Sequence, residues 1–172
     1  MKRLSTLLLA TVWLSLAFAD PIKVGDTEIT FEPPEGFKEV SQEIIDLKWP
    51  TNRAPKFVVG DETASTTVAY DLKPHQIPQD KLGDVQKSFT KLFERIVPGI
   101  NWKKNEIIEH SGQKWIFMEM TSSAIDTDIY NIMFLTGFGD KMLVFNFNST
   151  KENFAKYEAS LRASLKSIKL PQ

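Results

Sequence analysis

The chain has 172 residues, with 21 basic and 22 acidic side chains and no cysteine. That length is one domain's worth and can bury a core, and the near-balanced charge gives no basic face for a nucleic acid. Absence of Cys excludes disulfides, thiol nucleophiles, Cys-type zinc sites and the acylated cysteine of a lipoprotein.

Met1-Lys2-Arg3 is a short positive start, Leu4 to Phe18 carries no charge, and Ala17-Phe18-Ala19 precedes Asp20-Pro21. A basic start, an apolar run and a small-x-small site are the three parts of a cleavable secretory signal. The run falls short of the roughly 20 apolar residues of a membrane span, so an uncleaved anchor or a buried N-terminal helix is the weaker reading. Cleavage between Ala19 and Asp20 would leave residues 20–172 as a single domain, more acidic by the loss of Lys2 and Arg3. The expected location is the periplasm or the exterior, with no integral membrane segment after signal cleavage.

Ile22 to Val24 and Thr27 to Phe31, around Gly25-Asp26, predict a small hairpin that ends at Pro33-Pro34-Glu35-Gly36. Ile45, Leu47 and Trp49 alternate with Asp46 and Lys48, which predicts a strand with one buried face. Pro50 to Pro55 is a polar loop. Phe57 to Val59 and Thr63 to Leu72 predict a second hairpin around Gly60-Asp61-Glu62, with Val68, Tyr70 and Leu72 on one face. A helix follows from about Gln79 to Val97, with a stripe of Leu82, Val85, Phe89, Leu92, Phe93 and Ile96, stopped by Pro98-Gly99.

Next comes a β-meander. Trp102 to Glu109 and Gln113 to Thr121 flank Ser111-Gly112; Asp128 to Phe138 and Lys141 to Asn148 flank Gly139-Asp140. Ile129 to Leu135 hardly alternates, so this strand should be covered on both faces. A last helix, about Thr150 to Lys169, has Ser149 and Glu152 in capping-box spacing and a stripe of Phe154, Tyr157, Leu161, Leu165 and Ile168. The expected fold class is α+β: an α/β/α sandwich with a mainly antiparallel sheet covered by helices on both faces.

Four local features carry a resemblance to a known family. They are the Pro34-Glu35-Gly36-Phe37 step after the first strands, Val68-Ala69-Tyr70 running into a Pro-bracketed loop and helix, the Gly112-Gln113-Lys114-Trp115 turn into a long strand, and Leu143 to Asn148 leading into the terminal helix. With these the chain resembles the Mog1/PsbP-like α/β/α sandwich, including its small exported bacterial members. The resemblance implies a protein-binding adaptor, assembly factor or regulator, and it brings no catalytic motif with it.

The residues themselves offer little chemistry. Asp71 and His75 could belong to a triad, but a lone loop histidine is more often surface. His110 reads as turn surface, and two isolated histidines do not make a zinc site. Asp126-Thr127-Asp128 suggests calcium, yet Asn131 and Gly137 stand where an EF-hand needs Gly and Glu. Gly137-Phe138-Gly139 falls at a β-turn and not before a helix, so it is not a phosphate loop, and no G-x-S-x-G elbow occurs. No cofactor is expected.

Candidate protein contacts are Trp102, which opens a strand after a break and has an anchor's side chain, with Asn52, Arg53, Asp126 and Asp128 on the polar loops. The expectation is an exported, non-enzymatic domain whose partner is another protein, with immunity against a secreted toxin as its sharpest form. A small-ligand or lipid binder with an apolar cavity between sheet and helix and a histidine- or carboxylate-based hydrolase are the alternatives.

Overall fold

A computed structural model describes residues 20–49, 54–124 and 127–171. β1 (Ile22–Lys23) and β2 (Thr30–Phe31) pair antiparallel, Ile22 opposite Phe31. Gly25 takes φ +57°, a left-handed conformation that costs glycine least. The remaining strands form one antiparallel sheet. They are β3 (Lys38–Glu39), β4 (Phe57–Gly60), β5 (Thr66–Lys73), β6 (Asn101–His110), β7 (Gln113–Ser123), β8 (Asp128–Phe138) and β9 (Lys141–Thr150), in the order β3-β4-β5-β9-β8-β7-β6.

Among the described residues three helices cover this sheet: α1 (Gln42–Lys48), α2 (Leu82–Ile96) and α3 (Lys151–Lys166). The alternation of side chains decides which helix covers which face. On β7, Trp115 and Phe117 point to one side and pack with Phe154, Leu161 and Leu165 of α3. Ile116, Met118 and Met120 point to the other side and meet Leu82, Val85, Phe89 and Phe93 of α2. β8 divides likewise, Ile132 and Phe134 against Met133 and Leu135, which is the expected apolar strand covered on both faces. Ala69 of β5 shares the α2 side, through its register with Asn146 and that of Asn146 with Met133. There it packs with Val40, Val58 and Ile45 of α1. The architecture is therefore an α+β sandwich, with α3 on one face and α1 and α2 side by side on the other.

The β-meander follows its turn residues. Ser111 and Gly112, at φ +50° and +80°, join His110 to Gln113, and Gly139-Asp140 joins Phe138 to Lys141. Gly137 belongs to β8, not to that turn.

Two expectations are corrected. Ile45, Leu47 and Trp49 do not form a strand: residues 42–48 are helix α1. In a strand all three would share a face, whereas here Ile45 is 4% exposed and Leu47 80%. Ile45 and Trp49 instead stand one helical turn apart on the same packed side. The terminal helix is not capped by Ser149. Thr150 is its N-cap, accepting from the Asn153 amide at 3.3 Å, while Ser149 is buried in β9 and bonded to Thr66. Other boundaries shift slightly. Gln79–Lys81 is a 3₁₀ turn before α2, and α3 ends at Lys166, beyond which Lys169 exchanges backbone hydrogen bonds with Thr30 at 2.8 and 3.1 Å.

Candidate functional site

α1 covers β4 and β5, and α2 covers β6 to β8. Met142 and Val144 of β9 pack with the α2 cluster; between the two patches, among the described residues, a strip around Asn146 and Asn148 of β9 has no helix above it. Leu143, Phe145 and Phe147 of β9 point into the α3 core, so Val144, Asn146, Asn148 and Thr150 form the floor of this strip. Met133, Asn131 and Ile129 of β8 stand opposite Asn146, Asn148 and Thr150. Two adjoining hollows of about 530 and 140 Å³ occupy it, and Trp49 lines both.

The floor carries three asparagines, Asn131, Asn146 and Asn148. Asn148 donates to the Asn131 carbonyl, and Asn131 donates to Ser122 Oγ at 3.0 Å. The Oδ1 of Asn146 is buried and has no hydrogen-bond partner among the described residues. An unsatisfied buried acceptor costs about 1–3 kcal/mol. Apolar walls stand beside it: Trp49, Pro55, Ala69, Met133 and Val144.

Charge lies at both ends. Asp71 is ion-paired with Lys73 at 2.6 Å and accepts from the Leu72 and Lys56 amides at 2.7 and 3.2 Å. Lys48 is exposed as a residue, but its ammonium turns in to the Ala64 carbonyl. Burial of that ammonium lowers its pKa, against the opposing pull of Asp61.

Two further hollows hold side chains that are already engaged within the fold. One of about 410 Å³ contains Glu35, Asp61, Glu62, Lys156 and Tyr157. Its Asp61 carboxylate is spent on a turn, accepting from Ser65 N, Ser65 Oγ and Thr63 Oγ1 at 2.9, 2.9 and 3.1 Å. Burial raises the Asp61 pKa, but these bonds outweigh it and hold the carboxyl below its ordinary value. A hollow beside the β6–β7 turn includes His110. Its Nε2 lies 2.8 Å from the Ile168 carbonyl, and the ring stands edge-on to Trp115 and Phe134. His75 is exposed and Asp71 is engaged elsewhere, so the structure assembles no Asp71–His75 pair. Among the described residues no cluster of His, Asp and Glu is arranged to hold a metal, and no helix is long and apolar enough to cross a membrane.

Of the sequence-predicted contacts, Asn52, Arg53 and Asp126, like Ala19, lie outside the described residues. Asp20 is the first described residue and is exposed. Trp102 is half-buried under α2 and donates from its indole N–H to Glu94 at 3.1 Å. Asp128 is exposed, paired with Lys151 at 3.3 Å and bonded to Ser123 at 3.2 Å. It lies between Thr127 and Ile129, which line the larger hollow. The asparagines were not anticipated. Their signal is the alternation Asn146-Phe147-Asn148, and an Asn131 set inside an otherwise apolar strand.

No family model and no curated protein sequence matches the chain. Solved structures do. PsbP (CyanoP) from Synechocystis sp. PCC 6803 aligns over 95% of this chain and 99% of its own, at TM-score 0.63 and 15% identity. The chain has the Mog1/PsbP-like fold. PA94 from Pseudomonas aeruginosa, a protein of unknown function named as a candidate regulator, matches this PsbP-like architecture over 90% of the chain and 97% of its own, at 0.54 and 10% identity. LpqN, involved in cell envelope biogenesis of Mycobacterium tuberculosis, matches over 88% of the chain and 90% of its own, at 0.57 and 11% identity.

Proposed function

We propose that this PsbP-like domain is exported, and that it acts outside the cytoplasm by binding another protein without catalysing a reaction. The observation that carries the reading is the polar strip along β9, over which no helix lies among the described residues. Asn131, Asn146 and Asn148 stand together there beside the aromatic wall of Trp49. Such a surface recognises through hydrogen bonds and apolar contact. The histidines support the same reading, one bonded to a main-chain carbonyl and the other exposed in a loop.

The signal-like segment ending at Ala19 supports export. So does the likeness to a protein of cell envelope biogenesis. An adaptor, an assembly factor and an immunity protein are narrower forms of this role, separated by the identity of the partner. For the immunity form the partner would be a secreted toxin. Trp102 and Asp128 remain proposed contacts, Asp128 at the rim of the strip.

Chemical cross-linking in intact cells, followed by isolation of the tagged chain, tests the role. The expected result is one partner in stoichiometric yield, on a chain whose N-terminus reads Asp20. Repeated recovery of the chain alone would overturn the binding role, and an N-terminus at Met1 in the cytosolic fraction would overturn export.

A further inference from the structure

We propose that strand β6 is the surface through which two copies of this chain join, edge to edge, into one continuous antiparallel sheet. The proposal goes beyond the binding role above and does not depend on it.

β6 ends the sheet order, and among the described residues its 10 residues, Asn101–His110, pair only with β7. The turn decides which main-chain groups stay free. In a two-residue hairpin the pair that closes the turn exchanges hydrogen bonds, here His110 and Gln113, and every second pair behind it does the same. Ile108, Glu106 and Lys104 therefore bond to β7, while Glu109, Ile107 and Asn105 turn their N–H and C=O groups outward. α2 reaches β6 through side chains: Gln86 and Thr90 bond the Asn105 amide at 2.8 and 2.7 Å, and Glu94 bonds Trp102 at 3.1 Å. These bonds lie on a face of the strand and leave its outer edge clear. A row of unpaired main-chain groups is a template for another strand.

Charge selects the strand that fits. Edges are commonly guarded by charged side chains that an incoming strand cannot match. β6 carries Lys103 and Lys104 toward one end and Glu106 and Glu109 toward the other, all exposed. A two-fold axis through Glu106, perpendicular to the sheet, reverses that order in the second copy. Asn105 of each copy then stands opposite Ile107 of the other, and their free main-chain groups meet. Lys103 stands opposite Glu109, twice over. The two Glu106 side chains face each other, each diagonal to the other copy's Lys104. Lys103 is the extra residue where the register shifts between Trp102 and Lys104, so it has no opposite number on β7. Ile107, an apolar side chain 37% exposed, comes diagonal to its own copy beside the axis. An axis through Ile107 instead would set Lys104 against His110 and Glu109 against Asn105, with no opposed pair of opposite charge. Parallel pairing in register would set like charges side by side.

Sedimentation equilibrium of the purified chain, from low to high micromolar concentration, tests the association. The expected result is a reversible equilibrium of monomer and dimer. Lys103→Glu and Glu109→Lys should each weaken the dimer about ten-fold, because each turns two attractive pairs into two repulsive ones. Mixed in equal amounts, the two variants should associate with each other as tightly as the native chain does with itself, since every Glu then meets a Lys. Hydrogen exchange of the native chain locates the contact independently. The Asn105 and Ile107 amides should slow as concentration rises, whereas those of Glu106 and Ile108, bonded to β7, should be slow throughout. A chain that stays monomeric over the whole range, a dimer whose Asn105 and Ile107 amides exchange as fast as in the monomer, or a mixture of the variants no tighter than either alone would each overturn the proposal.

Discussion

Arg162 of α3 holds the carboxylate of Glu119 on β7 with two hydrogen bonds, at 2.7 and 3.2 Å. The Glu119 side chain is 4% exposed, so this is a largely desolvated charge kept by one cation and by the hydroxyl of Tyr130. Arg162 also bonds Glu158 one turn back, at 2.8 Å, and so stands fixed before it reaches the sheet. Removing one partner of a buried pair leaves an uncompensated charge. Arg162→Ala should therefore cost about 2–4 kcal/mol in urea unfolding, more than Glu158→Ala. Arg162→Lys should recover only part of it, since an ammonium cannot make the paired contact.

The same cluster sets the pH response. Burial raises the Glu119 pKa, but the bonds from Arg162 and Tyr130 outweigh it and hold the carboxyl below its ordinary value. A depressed folded pKa gives stability that is present above the unfolded carboxylate pKa and lost as pH falls through the folded one. Tyr130 moves the other way: burial, then its bond to Glu119, pushes it from 10.0 up to about 12. Its contribution is complete below pH 10.0 and lost as pH rises toward about 12. Thermal unfolding across pH should show both losses in the native chain. Glu119→Gln should flatten the acid-side slope, and Tyr130→Phe should reduce the alkaline-side loss.

Gly137 sits where β8 passes beneath the Pro-bracketed loop. A Cβ there would collide with the main-chain carbonyl of Ile77, which cannot rotate away as a side chain would. Thr136 beside it is buried and accepts from Gln79 and Gln113, each at 2.9 Å, while donating to the Lys114 carbonyl at 2.7 Å. Gly137→Ala should push the loop outward and cost about 1–3 kcal/mol. Limited proteolysis should then cut within residues 74–78, where the native chain resists.

Much of this fold is legible in the sequence because its local signals agree with its long-range ones. Gly139-Asp140 and Ser111-Gly112 place two hairpins, and a strand without alternation, Ile129 to Leu135, announces covering on both faces. α1 is harder to read. In a helix of 7 residues, Ile45, Leu47 and Trp49 fit a period of two, and only the exposure of Leu47 tells otherwise. The strip along β9 is less visible still. Asn131 and Asn148 meet because the β8–β9 turn sets their register. Whether a polar face is open to solvent or covered depends on where α1 and α2 stop, which no local pattern records.

Asn146 and Asn148 offer a prediction in which one substitution has opposite effects on stability. The buried Oδ1 of Asn146 has no partner among the described residues, and its neighbours Met133, Val144 and Ala69 are apolar. Leucine has the same branched outline, though a larger volume, and no polar atom to desolvate; beside the hollow that Asn146 lines, Asn146→Leu should raise stability by about 1 kcal/mol. Asn148→Leu should do the reverse. It deletes the donor to Asn131 and strands that carbonyl, at a cost of about 1–3 kcal/mol. Urea midpoints of the two variants should move in opposite directions although the substitutions are identical and two residues apart on one face. If Asn146→Leu were destabilising by as much as Asn148→Leu, the Asn146 carbonyl would have to be satisfied within the fold, against its buried and unpartnered state among the described residues.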